Sequence, residues 1–120
     1  MDKNILEACG VLVQKRDETL HVELPLYPFG EPHKVIFDVE KVGSEYLAQD
    51  RFYIANVVRG FGFSTDDLID ACSYTSEVEC RDGQLKVRGK TLREAVSKMA
   101  MIMDRVGMLI GQPKGERLKL

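Results

Sequence analysis

Two hydrophobic periods divide the chain. Up to Gln49 apolar residues recur at every second position, and from Arg51 onward helical spacing dominates, interrupted by one further alternating stretch. A period of two marks strands with one buried face, and a period near 3.6 marks helices with one buried stripe. Val11 and Val13 belong to a first strand. Leu20, Val22, Leu24 and Leu26 belong to a second, with Arg16-Asp17-Glu18-Thr19 as the turn between them. Pro25 puts the end or an edge of the second strand there, because proline donates no ladder hydrogen bond. The stretch YPFGEPH (27–33) is a loop. In KVIFDVEKV (34–42), Val35, Phe37 and Val39 share one face, and Ile36, Asp38 and Glu40 share the other. A return strand follows a turn near Gly43.

After Gln49 the reading changes. Phe52, Ile54, Ala55 and Val58 fall on one stripe of a short helix over 51–59, capped by Asp50 and stopped by Gly60 and Gly62. Ser64-Thr65-Asp66-Asp67 is close to a capping box for a second short helix, and its carboxylates suit the positive helix N-terminus. Leu68, Ile69 and Cys72 are expected to face inward. Val78 and Cys80, then Asp82-Gly83, then Leu85 and Val87 spell a tight β-hairpin. Thr91 and Glu94 have the spacing of a capping box for a final helix over 92–111. At the two ends, residues 2–9 suit one or two helical turns closed by Gly10, and 112–120 reads as an irregular tail.

These elements predict the α+β class. A small antiparallel sheet of about three or four strands plus a C-terminal β-hairpin is packed by two short helices and a long C-terminal amphipathic helix. A length of 120 residues fits one domain, 1–120. Composition adds exclusions. The chain is 44% apolar and 30% charged, the ordinary mix of a soluble globular protein. Its formal charge of −2 lacks the basic excess of a general nucleic-acid binder. No apolar run reaches membrane-spanning length, and MDKNILEACG has no secretory pattern. The expectation is a cytoplasmic protein without a membrane partner. Cys9, Cys72 and Cys80 form no CxxC pair and read as reduced thiols.

Three stretches carry candidate chemistry. The first is the last helix. Leu92, Val96, Met99, Met103, Val106 and Ile110 line one stripe, widened by Ala95, Ile102 and Leu109. Met101 and Met108 lie on the opposite side, and Ala100, Gly107 and Gly111 run along a flank as small residues. Methionine is flexible and polarisable and suits adaptable binding surfaces. Small residues let another backbone approach closely. These five positions are the candidate partner-binding residues, for a second copy of the chain or for another protein. The competing reading is that another layer of this same chain, such as helix 51–59, covers that side.

The second stretch is RGFGF (59–63), which looks like the aromatic motif of RNA-recognition domains. That motif sits on a central strand, where its aromatics stack bases. Here helix precedes it and Ser64-Thr65-Asp66-Asp67 follows, so two glycines ending a helix is the favoured reading. Arg59, Phe61 and Phe63 remain the residues of an alternative nucleic-acid-binding function. The third stretch is the Asp38/Glu40 face, with His21 and Glu23 on a neighbouring strand. Four such groups together suit a divalent metal. Lys41 directly after Glu40 breaks the spacing of restriction-type nucleases, so a metal-dependent nuclease is kept as a further alternative without assigned ligands. No Ser-His-Asp arrangement, P-loop or dinucleotide fingerprint occurs. The sequence assigns no catalytic residue, metal ligand or cofactor.

The order of elements also resembles a family of prokaryotic and phage domains of unknown function. The resemblance lies in the Leu24-Pro25-Leu26 strand, KVIFDVEKV, SEYLAQD, a short helix ending in Gly60-Phe61-Gly62, RDGQLKV and the amphipathic C-terminal helix. It covers about residues 10–110, by pattern more than by identity. Members often carry a Thr-Asp-Asp-Gly turn where this chain has Ala48-Gln49-Asp50-Arg51, and only Asp50 matches. The resemblance implies a small accessory protein of phages or mobile elements. Such a protein would act by binding, as an adaptor or as an inhibitor of a host defence nuclease. The expectation is therefore a non-enzymatic protein-binding module, dimeric or docked on another protein.

Overall fold

The computed structural model describes residues 12–16, 19–30 and 33–110. The turns expected over 2–9, the hairpin turn at 17–18, Gly111 and the tail 112–120 lie outside the described residues. Six strands and three helices are described. The strands are β1 (Leu12–Arg16), β2 (Thr19–Leu24), β3 (Val35–Val42), β4 (Glu45–Gln49), β5 (Val78–Arg81) and β6 (Gln84–Gly89). The helices are α1 (Tyr53–Gly60), α2 (Thr65–Cys72) and α3 (Leu92–Ile110). All six strands belong to one antiparallel sheet in the order β1-β2-β3-β4-β6-β5.

The alternation along each strand dictates which side is covered. Val22 and Leu24 of β2, Val35, Phe37 and Val39 of β3, Ala48 of β4, and Leu85 and Val87 of β6 are buried on one face. Leu92, Ala95, Val96, Met99, Ile102, Met103 and Val106 of α3 close over that face. Each of the larger side chains, alanine excepted, contributes about 2 kcal/mol when removed from water. This stripe holds the long helix to β3, β4 and β6. The other sheet face bears His21, Asp38, Gln49, Lys86 and Glu79, which stand opposite one another across five strands. A polar row of this kind is expected on the uncovered face of an antiparallel sheet.

Three expectations need correction. The C-terminal hairpin is not separate from the first sheet. β6 pairs with β4, from Tyr46 opposite Gly89 to Gln49 opposite Lys86. This gives β4 its second hydrogen-bonded neighbour and continues the apolar face through Ala48 opposite Val87. The first helix begins at Tyr53, because Arg51 and Phe52 both take left-handed backbone (φ 50° and 64°). Phe52 is thereby turned outward and leaves the inner stripe. Ile69 is exposed as well: in eight-residue α2, Leu68 and Cys72 share the inner side, and Ile69 lies about 100° around from Leu68.

Several local signals stand as expected. Asp82 and Gly83 have φ 55° and 96°, the type I′ turn that Asp-Gly favours between β5 and β6. Ser64 and Asp67 complete a reciprocal capping box on α2. At α3 the Thr91 hydroxyl accepts the Glu94 N–H at 3.0 Å. The Glu94 carboxylate turns to Lys98, 3.1 Å away, which holds its pKa below the usual carboxylate value.

Candidate functional site

On α3 the outward side chains are sorted by the same 3.6-residue period that buries the inner stripe. Met101 and Met108 point away from the sheet and keep 70% and 56% of their surfaces exposed. Asp104 and Arg105 lie between them, both exposed. Tyr74, on the turn after α2, stands beside this stripe because α2 packs against α3. The Arg105 guanidinium carbon is 5.3 Å from the Tyr74 ring centroid, a favourable cation–π geometry. Tyr74, Met101, Asp104, Arg105 and Met108 line a shallow groove of about 420 Å³. Burial pushes the Tyr74 phenol up, against the opposing pull of Arg105. The hydroxyl therefore stays protonated at neutral pH and available as a donor.

The small-residue flank has a different place from the one expected. Ala100 is half-buried and packs against the core. Gly107 is buried, and a Cβ on it would stand 2.5 Å from the Pro28 carbonyl oxygen and 2.6 Å from the Pro28 Cβ. Another backbone does approach closely here, and it is the chain's own loop after β2. Gly107 thus serves internal packing, and Gly111 lies outside the described residues. Gly107→Ala tests this through its sign. In a free helix the change stabilises by about 1 kcal/mol. Against Pro28 it is expected to destabilise by about 1–3 kcal/mol, as overpacking does. A raised midpoint in urea unfolding would show that the loop yields easily.

The RGFGF stretch is a helix terminus. The Gly62 N–H donates to the Arg59 carbonyl at 3.0 Å and the Phe63 N–H to the Val58 carbonyl at 3.0 Å, with Gly62 at φ 87°. This is a complete Schellman cap, and only glycine reaches the required backbone cheaply. Phe61 is exposed and meets His33 edge-to-face with ring centroids 5.8 Å apart. Phe63 packs against the core and Arg59 points to solvent. No strand carries these three residues, so they make no stacking platform on the sheet.

On the open sheet face, β2 and β3 set His21 opposite Asp38. His21 Nδ1 is 2.9 Å from Asp38 Oδ1, and Arg51 Nε donates to Asp38 Oδ2 at 2.8 Å. His21 Nε2 is 3.8 Å from Glu23, and Gln49 Nε2 donates to Glu40 at 3.1 Å. Both Asp38 oxygens thus face protein cations or donors, and the Gln49 amide engages Glu40. Among the described residues no three His, Cys, Asp or Glu side chains converge as metal ligands. A second hollow of about 470 Å³ opens at the sheet rim beside the start of α3, lined by four Glu and four Lys or Arg side chains. Its charges alternate and partly pair, as Lys98 does with Glu94 and Glu77, so it favours neither an anion nor a cation.

Two buried polar groups complete the picture. Cys72 sits in the core, where the neighbouring Cys80 sulfur and burial both push its thiol up, so it remains protonated. Asp50 is 3% exposed. Its Oδ1 accepts from the N–H groups of Phe52 (3.2 Å) and Leu85 (2.9 Å), and its Oδ2 accepts from Ile54 N–H (3.0 Å). These are structural roles, since every partner is backbone.

The sequence pointed to Met101 and Met108 but missed Asp104, Arg105 and Tyr74. The first two were readable as the i+3 and i+4 neighbours of Met101. Tyr74 was not, because only the packing of α2 on α3 brings it there. No helix among the described residues is long and apolar enough to cross a membrane. The chain matches no protein-family model, no curated protein and no solved structure.

Proposed function

We propose that this chain is a non-enzymatic protein-binding module whose docking surface is the outer face of α3. The observation that carries this reading is the exposure of Met101 and Met108, at 70% and 56%, on a helix whose other side is fully engaged with the sheet. Each exposed methionine forgoes about 2 kcal/mol of burial that a partner surface would recover. Tyr74 and Arg105 flank them, and aromatic residues and arginine are the types enriched where proteins meet. The resemblance to phage and mobile-element accessory domains supports an inhibitor that acts by occupying a partner's surface, such as that of a host defence complex.

The test is a pair of variants, Met101→Lys and Met108→Lys. Both positions are exposed, so the fold is expected to survive, with urea midpoints close to the parent's. The expected result is loss of association, read as a fall in solution mass by light scattering and loss of co-purifying partner. Unchanged mass together with unchanged partner recovery in both variants would remove the docking surface.

A further inference from the structure

Resting on that reading, we infer that the occupant of the α3 face is a second copy of this chain. The copy packs antiparallel across a two-fold axis that passes between Asp104 and Arg105. On the exposed side of α3, beyond Arg93 and Ser97, Met101, Asp104, Arg105 and Met108 take the i, i+3, i+4 and i+7 positions that share one helix side. Read from either end these four run methionine, charge, charge, methionine, with the charges opposite in sign.

That order is self-complementary. When a second α3 is turned end for end, position 101 faces 108 and position 104 faces 105. Each thioether then meets a thioether, and each carboxylate meets a guanidinium, twice over. A two-fold interface requires this reciprocity, because the same patch must fit itself. A parallel pairing brings Asp104 beside Asp104 and Arg105 beside Arg105, which like-charge repulsion opposes. The Tyr74 ring beneath the guanidinium, at 5.3 Å, holds Arg105 where a facing carboxylate can reach it. Methionine side chains adapt to one another without a preformed pocket. So short a stripe gives a contact at the small end of specific interfaces, below about 1,200 Å² in total. The dimer is therefore expected to form and dissociate with concentration.

The experiment is sedimentation equilibrium on the full chain across a wide concentration range. Four proteins are compared: the parent, Asp104→Arg, Arg105→Asp, and the variant carrying both changes. The parent is expected to rise from the monomer mass of 13.6 kDa towards twice that value. Each single change sets like charges face to face twice and is expected to weaken self-association at least about tenfold. The doubly changed protein restores both pairs and is expected to return to within about threefold of the parent. An equimolar mixture of the two single variants is expected to dimerise better than either alone. Circular dichroism of each variant guards against loss of fold.

A parent that stays monomeric at every concentration overturns the proposal, whether another protein or the chain's own segment 111–120 covers the helix. A dimer indifferent to the single changes, or not restored by the double one, overturns the antiparallel pairing. The broader reading fails separately. If the parent is monomeric yet Met101→Lys abolishes recovery of some other protein, the docking face stands and only the second copy is refuted. If the methionine variants change nothing, both are refuted.

Discussion

Asp50→Ala is expected to lower the free energy of unfolding by about 4 kcal/mol, the largest loss among single changes outside the apolar core. The Asp50 carboxylate accepts from three backbone N–H groups, on Phe52, Ile54 and Leu85. Two of these open α1, and the third is on β6, thirty-five residues further along the chain. Its own backbone N–H returns to the Leu85 carbonyl at 3.1 Å. The side chain also anchors a strained corner. Arg51 and Phe52 are left-handed without being glycine, at roughly 1–2 kcal/mol each. Removing the carboxylate strands the donors and releases the corner together. Asp50→Asn keeps the shape but turns an amide N–H₂ towards one of the donors, and about 2 kcal/mol is expected.

The pH dependence of this pair has a definite sign. Burial raises the Asp50 pKa above its ordinary 3.8, and the N–H donors offset only part of the rise. A folded-state pKa above the unfolded one means that the protonated form favours folding. That contribution is complete below about pH 3.8 and is lost as pH rises through the folded-state value. Asn does not titrate. The stability gap between the parent and Asp50→Asn is therefore expected to be widest in acid and to narrow towards neutral pH. Urea unfolding at a series of pH values measures it. A gap that widens with pH would reverse the assignment, and a loss below about 1 kcal/mol in Asp50→Ala would deny the anchoring role.

Gly89→Ala is expected to cost about 3 kcal/mol. Gly89 is the last residue of β6, and its Cα lies directly against the first turn of α3. An added Cβ would fall on the Ala95 backbone nitrogen and stand 2.8 Å from the Ala95 Cα. Neither side can yield cheaply. Gly89 is held in register opposite Tyr46 of β4. Ala95 N–H donates to the Thr91 carbonyl at 3.1 Å, and Ala95 itself is fully buried. Relief requires lifting the helix, which would expose Leu92, Val96 and Met99 in turn. Gly60→Ala is the control, because a Cβ there meets nothing within 4 Å. A shared small effect in both variants, read from urea midpoints at unchanged m, would mean that the β6–α3 junction is softer than its geometry implies.

How much was legible differs by residue. The alternation at Val35, Phe37 and Val39, the Asp82-Gly83 turn, the Ser64 cap and the inner stripe of α3 all rest on interactions within a few residues. Their periods and turn types could be read along the chain. The placement of Met101 and Met108 was legible for the same reason, because the helical period sets them opposite to 99, 103 and 106 whatever surrounds the helix. The pairing of β4 with β6 was not legible, since nothing local states which strand lies beside which. Asp50 read as a helix cap, yet its bond to Leu85 exists only through that pairing. The Gly107 position was visible as a close-approach site, but the approaching backbone, Pro28, comes from a loop about eighty residues earlier in the chain.

The amino-acid order by itself determined most of the elements, the buried faces of β3 and α3, and the charged, methionine-edged stripe of α3, because caps and side-chain periods act over a turn or two of chain. Tertiary structure alone decided that the hairpin joins the sheet, that Tyr74 stacks on Arg105, and that Gly107 is consumed internally while Met101 and Met108 are left facing water. Those outcomes depend on which surfaces meet in space, and packing complementarity between distant segments leaves no periodic trace in any one of them.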